Sequence, residues 1–257
     1  VDGRTGEKCA ANLVQIAEQN GFCFAAPFSR SNTDFQGSGE QDVLNVIREM
    51  KNRYRIDEDR VFLVGHSMGG MGAWTIGCHY PNLFAGLLII SGRGDYYKWQ
   101  GIRREDLPSY KQTLVDAEFA ASLLPNLRNL PVFVTHGTQD SVVPVEEGRH
   151  IADMARDAGV SINYREFEDM DHWIFDETLD HPDVQSWLLK QRRKTTTDTP
   201  VLPPAIPCGP VKKAFLSPFL FVSTATRADT NSVPQFTRMA TEWYRFSKSL
   251  PRVTHEQ

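Results

Sequence analysis

Residues 60–72 read Arg-Val-Phe-Leu-Val-Gly-His-Ser-Met-Gly-Gly-Met-Gly, and this stretch decides the predicted fold. Its first half is a short apolar run typical of a buried strand, and its second half opens a helix rich in glycine and alanine. Between them lies Gly65-His66-Ser67-Met68-Gly69, a G-x-S-x-G pattern on a strand-to-helix turn. Such a turn lifts the serine hydroxyl above the sheet, so we predict that Ser67 is a nucleophile.

The glycines around Ser67 fit the shape that such a turn requires. A tight turn crowds the residues two before and two after it, and neither Gly65 nor Gly69 has a side chain. The backbone N–H of Met68 is then expected at a helix N-terminus, where it can donate to a developing oxyanion. The alternative interpretation is a glycine-rich turn that binds phosphate or only packs tightly.

Two further residues complete a candidate triad. A serine hydroxyl needs an adjacent base that an acid holds in place, and in this fold the chain order is serine, acid, histidine. Asp140 follows the predicted strand 131–136, and His172 follows the next predicted strand, 161–167. Because parallel strands present their carboxyl ends at one sheet edge, we predict Ser67, Asp140 and His172 as nucleophile, acid and base.

Other side chains compete for the base and acid roles. His66 is adjacent to the serine but points elsewhere on a tight turn, and His136 precedes the acid. The other histidines lie in helix patterns, before a proline or near the C-terminus: His79, His150, His181 and His255. Asp169 or Asp171 can in principle orient His172, but neither follows a strand of its own. Asp140 itself has a structural alternative as a turn or helix-capping residue.

Strand and helix patterns alternate along most of the chain. They predict an α/β-hydrolase domain over residues 1–194, with a mostly parallel sheet covered by helices on both faces. Further predicted elements are strands at 22–27 and 84–91 and helices at 7–20, 41–54 and 183–193. Residues 92–129 form an excursion between two predicted strands, which indicates a lid or binding loop. A linker over 195–210 and a small appendage over 211–257 follow.

Composition excludes several classes of function. The 257 residues carry a formal net charge of −4, so nothing predicts attraction to nucleic acid or an anionic membrane. The longest apolar stretch, 84–90, is too short to span a bilayer. The four cysteines lack metal-ligand spacing, so no metal or cofactor is expected. No leader segment is visible, and compartment and oligomeric state are left open.

The motifs resemble the esterase and prolyl-oligopeptidase-like branch of the α/β hydrolases, including feruloyl-esterase-like and polyhydroxybutyrate-depolymerase-like enzymes. The stretches that carry the resemblance are 56–70, 129–140 and Asp171-His172. The resemblance covers roughly residues 5–192. It implies the α/β-hydrolase fold, the triad roles of Ser67, Asp140 and His172, and a role for the Met68 N–H as second oxyanion donor.

One departure from that family concerns the oxyanion hole. Family members usually present a His-Gly-rich loop after an earlier strand, and this loop supplies the first donor. No such segment precedes the motifs here, and His136-Gly137 belongs to the strand before the acid. Two explanations are open: the chain lacks the first strands of the fold, or another backbone N–H fills the role. Losing one donor typically reduces the rate about 10²–10³-fold.

The sequence therefore predicts a serine carboxylesterase that acts on a small-molecule ester. Trp173, Tyr96, Trp99 and Trp74 are candidates to line an acyl or aryl pocket, with ordinary packing an equally good interpretation of each. A serine peptidase is the nearest alternative, since amides use the same triad; the lack of a large gating domain favours the esterase. A non-catalytic binding protein with this fold is the second alternative, and the ordered triad argues against it.

Overall fold

A four-stranded parallel sheet forms the centre of the chain. The computed structural model describes residues 33–194 continuously, together with Val14, 17–18, 21–27, 220–223 and 252–255. The strands lie side by side in sequence order, and all three pairings are parallel. They are β1 (Phe62–His66), β2 (Gly86–Ile90), β3 (Val132–Gly137) and β4 (Ile162–Phe167). Because the strands are parallel, β1, β3 and β4 all end at one edge of the sheet.

Helices cover both faces of this sheet. They are α1 (Ser38–Arg53), α2 (Met68–His79), α3 (Tyr96–Gln100), α4 (Ser109–Glu118), α5 (Val145–Asp157), α6 (Phe175–Asp180) and α7 (Pro182–Lys190). Alternate residues of β2 point to opposite faces: Leu87 and Ile89 pack with residues of α1, α2 and α5, whereas Leu88 and Ile90 pack with α6 and α7. The two apolar clusters explain why β2 is a continuous apolar run, and the predicted parallel sheet with helices on both faces is confirmed.

Some predictions on single elements fail. Residues 22–27 form no strand in the structure, although the Phe22 ring lies 6.0 Å from the Phe62 ring of β1. An apolar run becomes a strand only where another strand pairs with its backbone, and an apolar pattern does not reveal that partner. Helix α6 was not predicted, because six residues are too few to show a helical period. The predicted helix at 7–20 lies largely outside the described residues.

The excursion at 92–129 contains α3, α4 and three short 3₁₀ turns. The 3₁₀ turns Ala120–Ser122 and Leu124–Leu127 carry buried residues into the same core as α2. The second half of the excursion therefore belongs to the packed domain, and a lid or binding role for it stays a prediction. None of the helices that the structure describes is long and apolar enough to cross a membrane.

The C-terminal part of the chain is described only in two strands. Strands β5 (Leu220–Ser223) and β6 (Arg252–His255) pair in parallel, the first of them close to the predicted strand-like run at 219–222. The predicted linker at 195–210 lies outside the described residues. The boundaries of the catalytic domain, linker and appendage therefore stay predictions.

Candidate active site

Ser67 occupies a strained turn between β1 and α2. Its φ is 56° and its ψ −116°, a region that residues other than glycine rarely adopt and that typically costs about 1–3 kcal/mol. Its N–H donates to the Ile90 carbonyl at 2.9 Å, which fixes the turn against β2. Ser67 stands at the N-cap of α2, yet its hydroxyl makes no capping hydrogen bond. The role of this hydroxyl as a nucleophile stays a prediction.

The two glycines beside Ser67 differ in how much space they leave. A Cβ on Gly65 would overlap the backbone carbonyl of Gly69, so no other residue fits there without moving the turn. A Cβ on Gly69 would meet nothing closer than a ring carbon of Phe35 at 3.9 Å. Gly65 therefore accepts no side chain in this turn, whereas Gly69 has room for a Cβ. The crowding falls on the strand side of the turn.

The amino end of α2 offers an oxyanion donor. Met68 is the first residue of α2, and the first N–H groups of a helix have no partner within it. The helix dipole adds partial positive charge at this end, which favours a developing negative charge. The Met68 N–H is therefore well placed as an oxyanion donor beside Ser67, and that role stays a prediction.

The structure brings Asp140 and His172 into direct contact. Nδ1 of His172 lies 2.8 Å from Oδ2 of Asp140 and 3.0 Å from Oδ1, and both side chains are almost fully buried. Oδ1 of Asp140 also accepts the N–H groups of Val142 and Val143, at 2.9 and 2.8 Å. A carboxylate held on several sides can fix the orientation of an imidazole and favour the tautomer with a proton on Nδ1.

The loops that carry Asp140 and His172 are bound to each other. Oδ1 of Asp171 accepts the N–H of Ser141 at 2.8 Å and the N–H of His172 at 2.8 Å. These N–H groups hold the pKa of Asp171 below its usual value, since they stabilise the carboxylate. Gly137 has no room for a Cβ, because the backbone of 170–171 passes beside it. Asp171 therefore holds the two loops together, and Asp140 is the acid that faces the ring of His172.

The backbone of His172 is fixed by two donors that sequence reasoning missed. Its carbonyl oxygen accepts from Nε2 of His66 at 2.9 Å and from the hydroxyl of Ser91 at 3.2 Å. Burial lowers the pKa of His66, so its ring is neutral at neutral pH and carries its proton on Nε2. The rings of His66 and His172 also lie 4.9 Å apart. Because His66 adjoins Ser67, these contacts connect the turn at Ser67 to the loop with His172.

The predicted aromatic residues fall into two groups. Trp173 is 61% exposed and lies beside the rings of His66 and His172, with centroid distances of 5.3 and 5.4 Å. Tyr96 packs on Phe119 and Trp99 under Arg93, which are neighbours within the excursion. Trp74 is fully buried in the core and lines no surface. The structure therefore brings Trp173 to the loop that carries His172, whereas Tyr96 and Trp99 pack on residues of the excursion.

The described residues contain no cluster of metal ligands, and one of their two free cysteines is buried. Within residues 33–194 and the shorter described segments, no group of three or more His, Cys, Asp or Glu is arranged to hold a metal ion. Cys78 is buried, and burial raises the pKa of its thiol far above neutral pH.

Comparison with known proteins gives the family. The model of the prolyl oligopeptidase family matches residues 29–194, which is well over half of the chain. The chain belongs to the prolyl oligopeptidase family. The match includes the elbow at Ser67 and the loops with Asp140 and His172, and it ends where the continuously described residues end.

Relatives of this family member include both peptidases and esterases. Dipeptidyl-peptidase 5 of Porphyromonas gingivalis is 24% identical over 63% of this chain and 26% of its own length. Carboxylesterase SOBER1 of Arabidopsis thaliana is 22% identical over 74% of this chain and 78% of its own length. The chain thus spans about a quarter of the first and about three quarters of the second.

A solved structure shows the same fold. The acylaminoacyl peptidase of Pyrococcus horikoshii superposes with a TM-score of 0.50 at 15% identity, over 66% of this chain and 30% of that one. This prolyl oligopeptidase family member is therefore a domain of the serine-hydrolase type with an α/β-hydrolase fold.

Proposed function

We propose that the chain hydrolyses carboxylic esters through an acyl-enzyme on Ser67. The observation that carries the proposal is the 2.8 Å hydrogen bond from Nδ1 of His172 to Asp140, on the sheet edge where Ser67 stands in its strained turn. In a neutral imidazole that gives Nδ1–H to Asp140, the other ring nitrogen is the one that can accept a proton. This is the arrangement that activates a serine hydroxyl.

The steps follow from these positions. Ser67 Oγ attacks the ester carbonyl while Nε2 of His172 takes the hydroxyl proton, and Asp140 stabilises the imidazolium that forms. The carbonyl oxygen becomes an oxyanion beside the Met68 N–H at the start of α2. The ester C–O bond then breaks, and His172 gives its proton to the leaving alkoxide. Water, deprotonated by His172, attacks the acyl-enzyme and releases the acid and free Ser67.

The exposed Trp173 favours a substrate that has an apolar group. A tryptophan that is 61% exposed next to a nearly buried base presents a large apolar surface where an acyl or alcohol group would lie. We assign Trp173 to substrate binding, with Tyr96 and Trp99 as further candidates on the excursion.

A serine peptidase is the second candidate function. Membership of the prolyl oligopeptidase family and the similarity to dipeptidyl-peptidase 5 favour it, since an amide uses the same nucleophile and base. The similarity to a carboxylesterase over 74% of the chain supports ester hydrolysis. A small-molecule ester is therefore the substrate class that we propose first.

The test compares an ester with an amide on the same chain. The purified protein is given p-nitrophenyl acetate and a proline-containing peptide p-nitroanilide, beside Ser67→Ala and the control Ser161→Ala at the opposite end of the sheet. We expect rapid ester hydrolysis, slower amide hydrolysis, and a loss of about 10⁶-fold in Ser67→Ala alone. Faster cleavage of the amide would favour the peptidase. No turnover of either substrate would contradict the hydrolase proposal and favour a binding protein.

A further inference from the structure

A second imidazole lies against the acid of the proposed triad. His136 is in β3 and has no exposed side-chain surface. Its Nε2 lies 3.2 Å from Oδ2 of Asp140 and 2.8 Å from the carbonyl oxygen of Val143. A carbonyl oxygen only accepts hydrogen bonds, so Nε2 of His136 carries the proton. The positive end of this N–H dipole therefore faces Val143 and also approaches the carboxylate.

Besides their direct contact, His136 and Asp140 are connected through the backbone of Val143. The carbonyl of Val143 accepts from His136, and the N–H of Val143 donates to Oδ1 of Asp140 at 2.8 Å. The imidazole, Val143 and the carboxylate thus form a closed cycle of polar contacts. A movement of the ring would displace the Val143 backbone and, with it, one of the donors that orient Asp140.

The surroundings of Nδ1, the other ring nitrogen of His136, argue that the histidine is not there for stability alone. Nδ1 of His136 is buried without a hydrogen-bond partner in the described structure. It faces Gly148 of α5, where an added Cβ would overlap it. A buried polar atom without a partner is unfavourable, and an apolar side chain would fill this volume without that penalty.

We propose that His136 is a positioning residue for the triad. Its Nε2–H holds Val143 and the Asp140 carboxylate in the geometry in which Asp140 accepts Nδ1–H of His172, and Gly148 leaves the space in which the ring fits. The inference rests on the proposed function, because it assigns a role next to the proposed acid. It concerns turnover rather than substrate binding, since the ring is buried away from any surface.

The experiment measures kcat and KM for p-nitrophenyl acetate with the full 257-residue chain. His136→Val removes the donor, and we expect kcat to fall about 10²-fold with KM unchanged, as for a small misplacement of a catalytic group. His136→Gln can place an amide N–H near the position of Nε2–H and should restore kcat to within about tenfold of wild type. His181→Gln, a histidine far along the chain on the cap of α7, is the matched control and should keep wild-type kcat.

Gly148→Ala tests the same contact from α5. Its new Cβ should push the ring and lower kcat without raising KM, although alanine is the better helix former. In the His136→Val background, Gly148→Ala should have no further effect on kcat, because the ring through which it acts is gone.

Three outcomes would overturn the proposal. They are wild-type kcat in a folded His136→Val, no rescue by His136→Gln, and additive effects of His136→Val and Gly148→Ala. If His136→Val does not fold, the single variants His136→Gln and Gly148→Ala decide, with wild-type kcat in Gly148→Ala contradicting the role. A failure of the proposed function is distinguished by wild type, which would then not turn over the ester at all.

Discussion

The turn at Ser67 and the loops with Asp140 and His172 reach the same sheet edge by different physical means. The turn is built from local sterics: a positive φ at Ser67 and a Gly65 that leaves no space for a Cβ against Gly69. The loops are built from hydrogen bonds between residues that are distant in the chain. Asp171 binds Ser141 thirty residues away, and His66 binds the carbonyl of His172 from 106 residues away.

Because of this difference, substitutions in the turn and in the loops should have different effects. A substitution in the turn creates a steric conflict that displaces the nucleophile and the start of α2 together. A substitution in the loops removes one hydrogen bond among several, so its effect should be graded by how directly that bond holds the His172 ring.

Asp140→Asn should give the largest loss among the loop variants. The amide can donate to Nδ1 of His172 and so favours the wrong tautomer, and kcat should fall about 10⁴-fold. Asp169→Asn is the matched control on the same edge, because Asp169 has a φ of 58° that asparagine adopts well, and its kcat should be unchanged. Steady-state kinetics on a chromogenic ester measures both. Equal losses in the two variants would contradict the assignment of Asp140.

Gly65→Ala and Gly69→Ala separate the two sides of the turn. Gly65→Ala must displace the Gly69 carbonyl, so we expect a loss of about 10²-fold in kcat and about 1–3 kcal/mol in the free energy of unfolding. Gly69→Ala has room for its Cβ. It should keep kcat within about threefold of wild type and the free energy of unfolding within about 1 kcal/mol of wild type. Kinetics and denaturant unfolding check the pair. Similar damage from both would show that the crowding is symmetric.

The same contrast explains what the sequence could reveal. The turn at Ser67 is encoded within five residues, so a motif finds it, and Asp140 and His172 follow because parallel strands end at one edge. His66 and Ser91 could not be found as anchors, since their shared partner is the carbonyl of His172 and depends on how the strands pack. The sequence suggests Asp171 only as a partner for the His172 ring, whereas in the structure it binds backbone N–H groups.

The prediction of a strand at 22–27 is wrong for a related reason. Its apolar pattern is local, but a strand exists only where another backbone pairs with it. The asymmetry between Gly65 and Gly69 was also invisible, because the sequence shows two glycines and not the direction of each missing Cβ.

Ser91→Ala removes one of two donors to the His172 carbonyl. His66 remains as the other donor, so we expect a modest loss of about fivefold in kcat/KM, equivalent to about 1 kcal/mol. The measurement is kcat/KM at neutral pH, with the exposed Ser161→Ala as control. A loss above a thousandfold would mean that Ser91 has a direct role in the reaction.

Asp171→Asn should change the pH dependence of stability. The pKa of Asp171 is lower in the folded chain than its usual value of 3.8, so the unfolded chain binds the proton more readily. Wild type should therefore lose stability as pH falls through and below about 4, and the variant, which has no carboxyl group there, should lose less. Thermal unfolding from pH 6 to pH 2.5 measures this. Identical curves would contradict the Asp171 bridge between the loops.

The most direct test of the central claim is covalent labelling by a fluorophosphonate followed by peptide mapping. The phosphonyl group should be found on Ser67 in wild type, form much more slowly in Asp140→Asn, and be absent from Ser67→Ala. A phosphonyl group on any other residue, or equal labelling of Ser67→Ala, would contradict the account of Ser67 as the nucleophile.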